Sequence, residues 1–245
     1  MSEGAAYFFS DAHLGAESED REAARTSRLH QFLGALPGRA SSLHIVGDLF
    51  DFWFEYRTAI PRRHFETLSA LQRVRQAGIG ITYLTGNHDF WLGPFLSREL
   101  GIETHEGPLE LELQGRRIWV HHGDGLVRGD LGYRVLKKVM RNPFSIACYQ
   151  LLHPDLGIPL AHWASRLSRG SREDRPLEPE RLRHDVADPR FSDGFDAVLI
   201  GHFHHAYERR EPNREFFILG DWLDHFTYAE LNNGKIDLKT WPAPA

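Results

Sequence analysis

The chain has 245 residues, of which 41% are apolar and 26% are charged, a composition typical of globular proteins that excludes a disordered or fibrous one. Its net charge of −5 gives no general reason to expect nucleic-acid binding. The single cysteine, Cys148, excludes a disulfide within the chain and fits a reducing compartment. The first residues lack the features of a signal peptide, and no apolar run reaches the about 18 residues of a membrane span, so we expect a cytoplasmic protein.

Short apolar runs alternate with amphipathic stretches along the chain. Six runs predict buried strands: Tyr7–Phe9, Leu43–Val46, Ile79–Leu84, Ile118–Val120, Ala197–Ile200 and Phe216–Leu219. Glu22–Leu36 and Arg62–Gln76 predict helices, because apolar residues recur at helical spacing: Leu29, Phe32, Leu33 and Leu36 in the first, and Phe65, Leu68, Leu71 and Val74 in the second. This order predicts an α/β fold, and such folds keep their sites in the loops after strand C-termini.

Residues 125–195 differ from the rest of the chain. They contain little strand signal, many arginines and a Pro-rich turn region at residues 174–180. We interpret them as a mostly helical insertion, or cap, between two strands of a main domain formed by residues 1–124 and 196–245. We find no internal repeats and no low-complexity segments.

Polar side chains with metal-binding chemistry follow five of the predicted strands. In chain order they are Asp11 and His13; Asp48; Asn87, His88 and Asp89; His121, His122 and Asp124; and His202, His204 and His205. Each set alone is weak evidence, since such residues are also common in turns and caps. Five sets together indicate a functional site, because burying unpaired acids and imidazoles is costly in free energy. Carboxylate, amide and imidazole ligands without thiolates suit a catalytic centre of divalent ions rather than closed structural zinc.

The alternation of side chains along extended backbone refines this set. It predicts that Asp11 and His13 point to the same side, and that His202 and His204 point together while Phe203 points away. By the same rule His121 faces away from His122 and is structural. His205 either contacts substrate or is solvated, and Asp124 fixes a turn or a ligand imidazole rather than binding metal.

In these motifs the chain resembles the calcineurin-like metallophosphoesterases, whose signature is D-x-H, G-D, G-N-H-[DE], H-G and G-H-x-H. The resemblance implies a four-layer α/β sandwich, two β-sheets flanked by helices, with two divalent ions, Mn²⁺ first and Fe or Zn²⁺ as alternatives. It implies that Asp11, His13 and His204 hold one ion, that Asn87, His122 and His202 hold the other, and that Asp48 bridges them. His88 is implied as a general acid or phosphate contact, oriented by Asp89.

The insertion bears on the substrate. Residues 131–141 predict a basic amphipathic helix, an apolar segment follows, and Arg166, Arg169, Arg172 and Arg175 come after it. Apolar helices framed by cations favour a substrate with both acyl chains and phosphates, although a cap packed on the core with its charges in water is the alternative. Four aromatic residues after Asp48 either line an apolar channel or pack against the cap: Phe52, Trp53, Phe54 and Tyr56.

Within the superfamily the chain is similar to the UDP-2,3-diacylglucosamine hydrolases of lipid A biosynthesis, through GDLFDFWFEY, GNHDFWL, HHGDGLVRGDLGY and NPF…LHPDLGI…SRLSR. That likeness implies attack at the α-phosphate of UDP-2,3-diacylglucosamine, which yields UMP and 2,3-diacylglucosamine 1-phosphate. The implied substrate contacts are Asn87, His88, His122, Asp130, Tyr133, Ser171 and His202. It also implies contact with the cytoplasmic face of the inner membrane through the cap, and neither nucleic acid nor an obligate protein partner.

Two features depart from the best-characterised branch, which reads GNRD and GHTHRP where this chain has GNHD and GHFHHA. Both concern phosphate recognition, so one alternative is the same chemistry on another phosphodiester or nucleotide. The other is a metal-free scaffold that binds proteins. Such a scaffold would lack one or more ligands, and this sequence has all of them.

Overall fold

The computed structural model describes residues 4–126, 138–139, 141–161 and 177–243, and within them the chain forms two β-sheets. The first has six strands in the order β11-β10-β1-β2-β3-β4. Their bounds are β1 Ala5–Phe9, β2 Ala40–Val46, β3 Gly80–Leu84, β4 Glu103–His105, β10 Thr227–Asn232 and β11 Lys235–Thr240. The four strands β1 to β4 run parallel, and β10 and β11 extend the sheet in antiparallel register.

The second sheet has five strands in the order β5-β6-β7-β9-β8. These are β5 Leu109–Leu113, β6 Arg116–His121, β7 Ala197–Ile200, β8 Ala206–Glu211 and β9 Arg214–Leu219. The central strands β6, β7 and β9 are parallel, and β5 and β8 are antiparallel edges. All six strands predicted from the sequence are present.

Helices cover the outer faces of both sheets, and two further helices lie within residues 143–161. In chain order they are α1 Glu19–Ala35, a 3-10 turn Arg62–His64, α2 Phe65–Gln76, α3 Phe95–Arg98, α4 Pro143–Gln150, α5 at 154–161, α6 Pro179–Leu182, a π-helical turn Arg183–Ala187 and α7 Asp188–Ser192. In the described chain no helix combines the length and apolarity needed to cross a bilayer.

Three hydrophobic layers hold the sandwich together. Strand β1 shows why two of them form: Tyr7 and Phe9 face helices α1 and α2, whereas Phe8 faces the second sheet, as alternation along a strand requires. On the far side of the second sheet, Val198 packs against the helical segment that contains Phe191. The order helices, sheet, sheet, helices is the four-layer α/β sandwich that the sequence resemblance implied.

One core residue and five strands depart from the sequence prediction. Phe65, expected on the buried face of α2, is 69% exposed because α2 begins there and the residue lies outside the packed turns. Strands β4, β5, β8, β10 and β11 were not anticipated from the sequence. Strand β8 shows the reason, since an edge strand with charged residues such as Arg209 and Arg210 exposed lacks a continuous apolar run.

Candidate metal centre

The candidate site lies where the C-terminal ends of β1, β2 and β3 meet those of β6 and β7. The two sheets approach closely there, and glycines make the approach possible. A Cβ on Gly86 would lie 2.0 Å from Asp48 Oδ1, and a Cβ on Gly47, which has a φ of +81°, would lie 2.4 Å from the His122 ring. The motif glycines therefore allow side chains from different strands to share one small volume.

Five of the predicted ligands adopt left-handed backbone conformations. The φ angles are +56° at Asp11, +43° at His13, +52° at Asp48, +73° at His202 and +51° at His204. The expectation that the D-x-H and H-x-H pairs lie on extended backbone is therefore wrong. Such conformations cost about 1–3 kcal/mol each and persist where surrounding structure imposes them, often at functional sites.

The turned backbone sends His202 and His204 to two different groups of side chains instead of to one. His202 approaches His122, with ring centroids 5.1 Å apart, whereas His204 approaches His13, with centroids 4.9 Å apart. Phe203 points away and packs on the outer core of the second sheet, as expected. The prediction that the two histidines point together is corrected accordingly.

The first group contains Asp11, His13 and His204. The Nε2 atoms of the two histidines are 3.1 Å apart, and Asp11 Oδ1 lies 3.6 Å from His13 Nε2 and 3.5 Å from His204 Nε2. Asp11 Oδ1 is buried and has no hydrogen-bond partner among the described residues, while Oδ2 accepts the backbone N–H of His202 at 2.8 Å. Asp11 Oδ1 and the Nε2 atoms of His13 and His204 thus converge on one point, where all three could bind the same metal ion.

The second group contains Asp48, Asn87, His122 and His202. His122 Nε2 lies 3.2 Å from Asp48 Oδ2 and 3.2 Å from Asn87 Oδ1. The other ring nitrogen, Nδ1, donates to the Val46 carbonyl at 2.9 Å, which fixes the ring and leaves Nε2 directed at the group. Asp48 Oδ2 is also 3.7 Å from His13 Nε2. Asp48 therefore faces both groups.

These spacings fit metal ions. Metal–ligand bonds of about 2.0–2.2 Å place neighbouring ligand atoms about 3.0–3.5 Å apart, close to the separations in both groups. The donors of Asp11, His13 and His204 lie within 4.8 Å of one another, as do those of Asp48, His122 and His202. Both groups could hold a divalent metal ion.

Neighbouring charges shift the pKa values of three residues in these groups. Burial alone would raise the pKa of Asp11, yet His13 and His204 lower it to about 2. Burial would lower the pKa of His122, yet the carboxylates of Asp48 and Asp11 raise it to about 10. Burial and the facing charge of His122 lower the pKa of His202 to about 3. Ionised Asp11 and protonated His122 are therefore favoured, and a metal ion that binds at His122 would displace the proton from its Nε2.

His88 lies beside these groups and contacts Asp51. Its Nδ1 donates to the Asp51 carbonyl at 3.1 Å and lies 3.4 Å from Asp51 Oδ1. Burial lowers the pKa of His88, but Asp48 and Asp51 outweigh burial and raise it. Asp51 Oδ1 is also 3.9 Å from His13 Nδ1, so His13, Asp51 and His88 form a third group of possible ligands.

Asp89, implied by the resemblance as the residue that orients His88, contacts the loops around the site. Its carboxylate accepts backbone N–H groups from Gly86 at 2.9 Å, Asp48 at 3.2 Å and Phe50 at 3.3 Å, together with the Tyr83 hydroxyl. Burial and the nearby charge of Asp48 raise its pKa to about 6. Asp89 therefore fixes the loops around the site, and Asp51 takes the place beside the imidazole.

Sequence reasoning did not identify Asp51 or Asp221. Asp51 comes three residues after Asp48 and is followed directly by the aromatic residues Phe52, Trp53 and Phe54, so it does not immediately follow the end of a predicted strand. Asp221 follows β9 in a G-D pair, so a sixth strand end carried the same signal as the others. It lies 3.9 Å from His204 Nδ1 and accepts three backbone N–H groups and His225 Nδ1. Asp221 thus fixes the loop behind His204.

The remaining predicted residues fall into three classes. His121 ends β6, stacks on Trp119 and accepts the Gly123 N–H, so it stays outside both groups as expected. His205 is exposed and Asp124 is buried. Asp130, Tyr133 and Ser171 lie outside the described residues, as do most of the basic helix predicted at residues 131–141 and the four arginines from Arg166 to Arg175.

Residues 143–161 pack against the aromatic segment after Asp48. Phe52, Phe54 and Trp91 form a small core that is completed by Ile146 and Tyr149 from α4 and by Ile158 and Ala161 from α5. Trp53 instead joins the core under the first sheet. Packing against α4 and α5 therefore accounts for Phe52 and Phe54. Arg141 donates to the Gly86 carbonyl at 3.2 Å and so contacts the loop that carries Asn87 and His88.

The chain is similar in sequence, over most of its length, to several known proteins. UDP-2,3-diacylglucosamine hydrolase of Porphyromonas gingivalis is 31% identical over 245 aligned residues, which cover 91% of this chain and 92% of that protein. The enzyme of the same name from Photorhabdus laumondii is 30% identical and covers 96% and 98%. That from Neisseria meningitidis serogroup B is 27% identical and covers 92% of each. No protein-family model matches the chain.

Solved structures with a similar course of the chain have little sequence in common with it. An archaeal phosphodiesterase superposes with a TM-score of 0.48 at 10% identity, covering 96% of this chain and 98% of that one. A phosphoesterase from E. coli gives a TM-score of 0.44 at 16% identity and covers 97% and 100%.

Proposed function

Because the chain belongs to the UDP-2,3-diacylglucosamine hydrolase family, we propose that it hydrolyses UDP-2,3-diacylglucosamine at the α-phosphate and releases UMP and 2,3-diacylglucosamine 1-phosphate. The observation that carries the proposal is the position of Asp48, which faces His122 at 3.2 Å and His13 at 3.7 Å. A carboxylate between two ligand groups is what a pair of ions acting on one phosphoryl group requires.

The residues would divide between two divalent ions, for which we propose Mn²⁺, with Fe or Zn²⁺ as alternatives. Asp11, His13 and His204 would hold the first, and Asn87, His122 and His202 the second, with Asp48 shared. Such ions, when bound, polarise the phosphoryl group and neutralise the charge that develops on it. Asn87, His122 and His202 would also lie close to the phosphate oxygens.

His88 would serve as the general acid. Its Nδ1 donates to the Asp51 carbonyl, so Nε2 is the nitrogen that would carry a proton towards substrate. The raised pKa of His88, caused by Asp48 and Asp51 against the effect of burial, favours the protonated imidazole that a general acid requires. As water attacks phosphorus and the bridging P–O bond breaks, the bridging oxygen takes the electron pair and receives this proton.

We propose that residues 125–195 form the lipid-binding cap on a core of residues 1–124 and 196–245. Apolar side chains on its described part are unusually exposed: Phe144 by 76%, Leu151 by 87% and Leu156 by 68%. A surface of this kind fits acyl chains or the cytoplasmic face of the inner membrane better than it fits water. Asp130, Tyr133 and Ser171 would contact the head group. No nucleic acid and no obligate protein partner enters this proposal.

The test is product analysis with UDP-2,3-diacylglucosamine and Mn²⁺. We expect UMP from the wild-type protein, about two ions per chain by metal analysis, and a loss of kcat/KM of at least about 10³-fold in Asp48→Asn. Asp193→Asn is the matched control, because Asp193 is an exposed acid that pairs with Arg190 on the distant helical layer. Equal turnover of the acylated UDP-sugar and a generic aryl phosphodiester would refute the proposed substrate.

A further inference from the structure

Arg141 lies in a turn outside both sheets and contacts the loop that carries Asn87 and His88. Its Nη2 donates to the Gly86 carbonyl at 3.2 Å, and its Cζ lies 5.3 Å from the centroid of the Phe90 ring. A guanidinium within about 6 Å of an aromatic face is attracted to that face. Arg141 therefore contacts both ends of the loop 86–90.

The contact with Gly86 bears directly on Asn87. The carbonyl that accepts from Arg141 belongs to the same planar peptide group as the Asn87 N–H, so fixing one fixes the other. On the other side of Gly86, its N–H donates to Asp89 Oδ1 at 2.9 Å. The Asn87 side chain projects from this backbone, and its Oδ1 lies 3.2 Å from His122 Nε2. Arg141 thus holds the backbone from which a proposed metal ligand extends.

His88 depends on the same stretch of backbone. Its N–H donates to Asp48 Oδ1 at 2.8 Å, and its Nδ1 donates to the Asp51 carbonyl at 3.1 Å. A shift of the loop 86–90 would lengthen both bonds. It would also displace the imidazole that the proposed mechanism uses as an acid.

Arg141 is itself anchored next to helix α4. The following residue, Asn142, is the N-cap of α4, and its side chain accepts a backbone N–H of the first turn at 2.9 Å. Further along α4, Tyr149 packs on Trp91 with ring centroids 4.9 Å apart. Because Trp91 directly follows Phe90, helix α4 and the loop 86–90 are joined by an aromatic contact as well as by Arg141.

A further contact of Arg141 is weak. Its Nη1 lies 4.0 Å from Glu106 Oε2, but the Glu106 side chain is 76% exposed, and ion pairs this exposed stabilise a protein little. The Arg141 side chain is only 23% exposed. Loss of the guanidinium should therefore act mainly on the loop 86–90 and not on the fold as a whole.

We propose that Arg141 is a positioning residue, which holds the loop 86–90 so that Asn87 can bind its metal ion and His88 can protonate the departing group. The inference rests on the proposed function, which gives these two residues their roles, but it requires no contact between Arg141 and substrate. Removal of the guanidinium should weaken binding of the ion held at Asn87 more than binding of the ion held at Asp11, and should lower kcat for any substrate.

The first experiment measures metal affinity in the full-length protein by competition with a chelator for Mn²⁺. We expect Arg141→Met to weaken one of two ions about 10- to 100-fold. Arg141→Lys should restore most of the affinity, because an ammonium can donate to the same carbonyl. Arg117→Met is the matched control: Arg117 also donates to two backbone carbonyls and lies 4.7 Å from the Phe195 centroid, but it is at the opposite end of β6 from the site.

Kinetics separate positioning from substrate contact. In metal-loaded Arg141→Met, kcat should fall about 10- to 100-fold with little change in KM, and by the same factor for UDP-2,3-diacylglucosamine and an aryl phosphodiester. A loss confined to UDP-2,3-diacylglucosamine, or a rise in KM alone, would make Arg141 a substrate contact and overturn the inference. An equal loss in Arg117→Met would also overturn it, because the effect would then be general destabilisation.

Hydrogen exchange of the full-length protein tests the loop without reference to metal or substrate. Amides of residues 86–90 should exchange at least about tenfold faster in Arg141→Met than in wild type. Wild-type exchange there, or wild-type affinity for both ions, contradicts the role of Arg141. If the wild type leaves UDP-2,3-diacylglucosamine intact while Arg141→Met still loses affinity for one ion and exchanges faster, the proposed substrate fails and the positioning role stands.

Discussion

In protein stripped of metal, the free energy of unfolding should depend on the protonation of His122. The ring is buried among the carboxylates of Asp48 and Asp11, which raise its pKa to about 10 against the effect of burial. A histidine whose pKa is raised on folding stabilises the protein fully below its unfolded value of about 6.5, and that contribution is lost as pH rises towards 10. At about 1.4 kcal/mol per pKa unit, the difference between the unfolded and folded pKa values corresponds to about 5 kcal/mol of folding free energy.

Urea denaturation of chelator-treated protein at pH 6.5, 8 and 9.5 measures this contribution. The wild type should lose several kcal/mol across the series, whereas His122→Gln, which cannot titrate, should lose much less over the same range. Titration of the imidazole by NMR should find His122 still protonated at pH 8. A wild type whose free energy of unfolding declines no more steeply than that of His122→Gln would refute the charge assignment at the centre.

Three further outcomes follow from the contacts around the centre. Asp51→Asn should lower kcat about 10²-fold and move the alkaline fall in the kcat/KM profile to lower pH, because Asp51 helps to raise the pKa of His88; an unmoved profile would contradict the pairing. Asp221→Asn should weaken metal binding about 10- to 100-fold in a chelator competition, since Asp221 fixes the loop behind His204, and wild-type affinity would exclude that role. Replacing Leu151 and Leu156 together by Ser should reduce sedimentation with anionic vesicles at least about tenfold; undiminished binding would rule out this surface as the membrane contact.

The central strands and the polar residues behind them could be predicted from sequence because both signals are local. A buried parallel strand is a continuous apolar run, and Asp48 or Asn87 after such a run marks its C-terminal end. The pairing of sheets is not local. That β6 and β7 belong to a second sheet, facing the first across Phe8 and Val120, depends on contacts between distant segments.

The path of the backbone at the site was also beyond local reasoning. Strand alternation predicted that His202 and His204 point together, but left-handed φ angles at both residues separate them. Nothing in the letters G-H-F-H specifies those angles. They follow from the fit of the loop against Ser10 and Asp11, which a Cβ on Gly201 would overlap. Asp51 escaped notice for a related reason, since its partner His88 is 37 positions further along the chain.

Each ligand group draws on both sheets, and this has a mechanical consequence. Asp11 and His13 come from the first sheet and His204 from the second, while Asp48 and Asn87 come from the first and His122 and His202 from the second. Metal ions bound by these groups would link the two sheets, so any motion that separates the sheets would also separate the ligands of each ion. Catalytic activity and the packing of the two sheets would then appear together and be lost together.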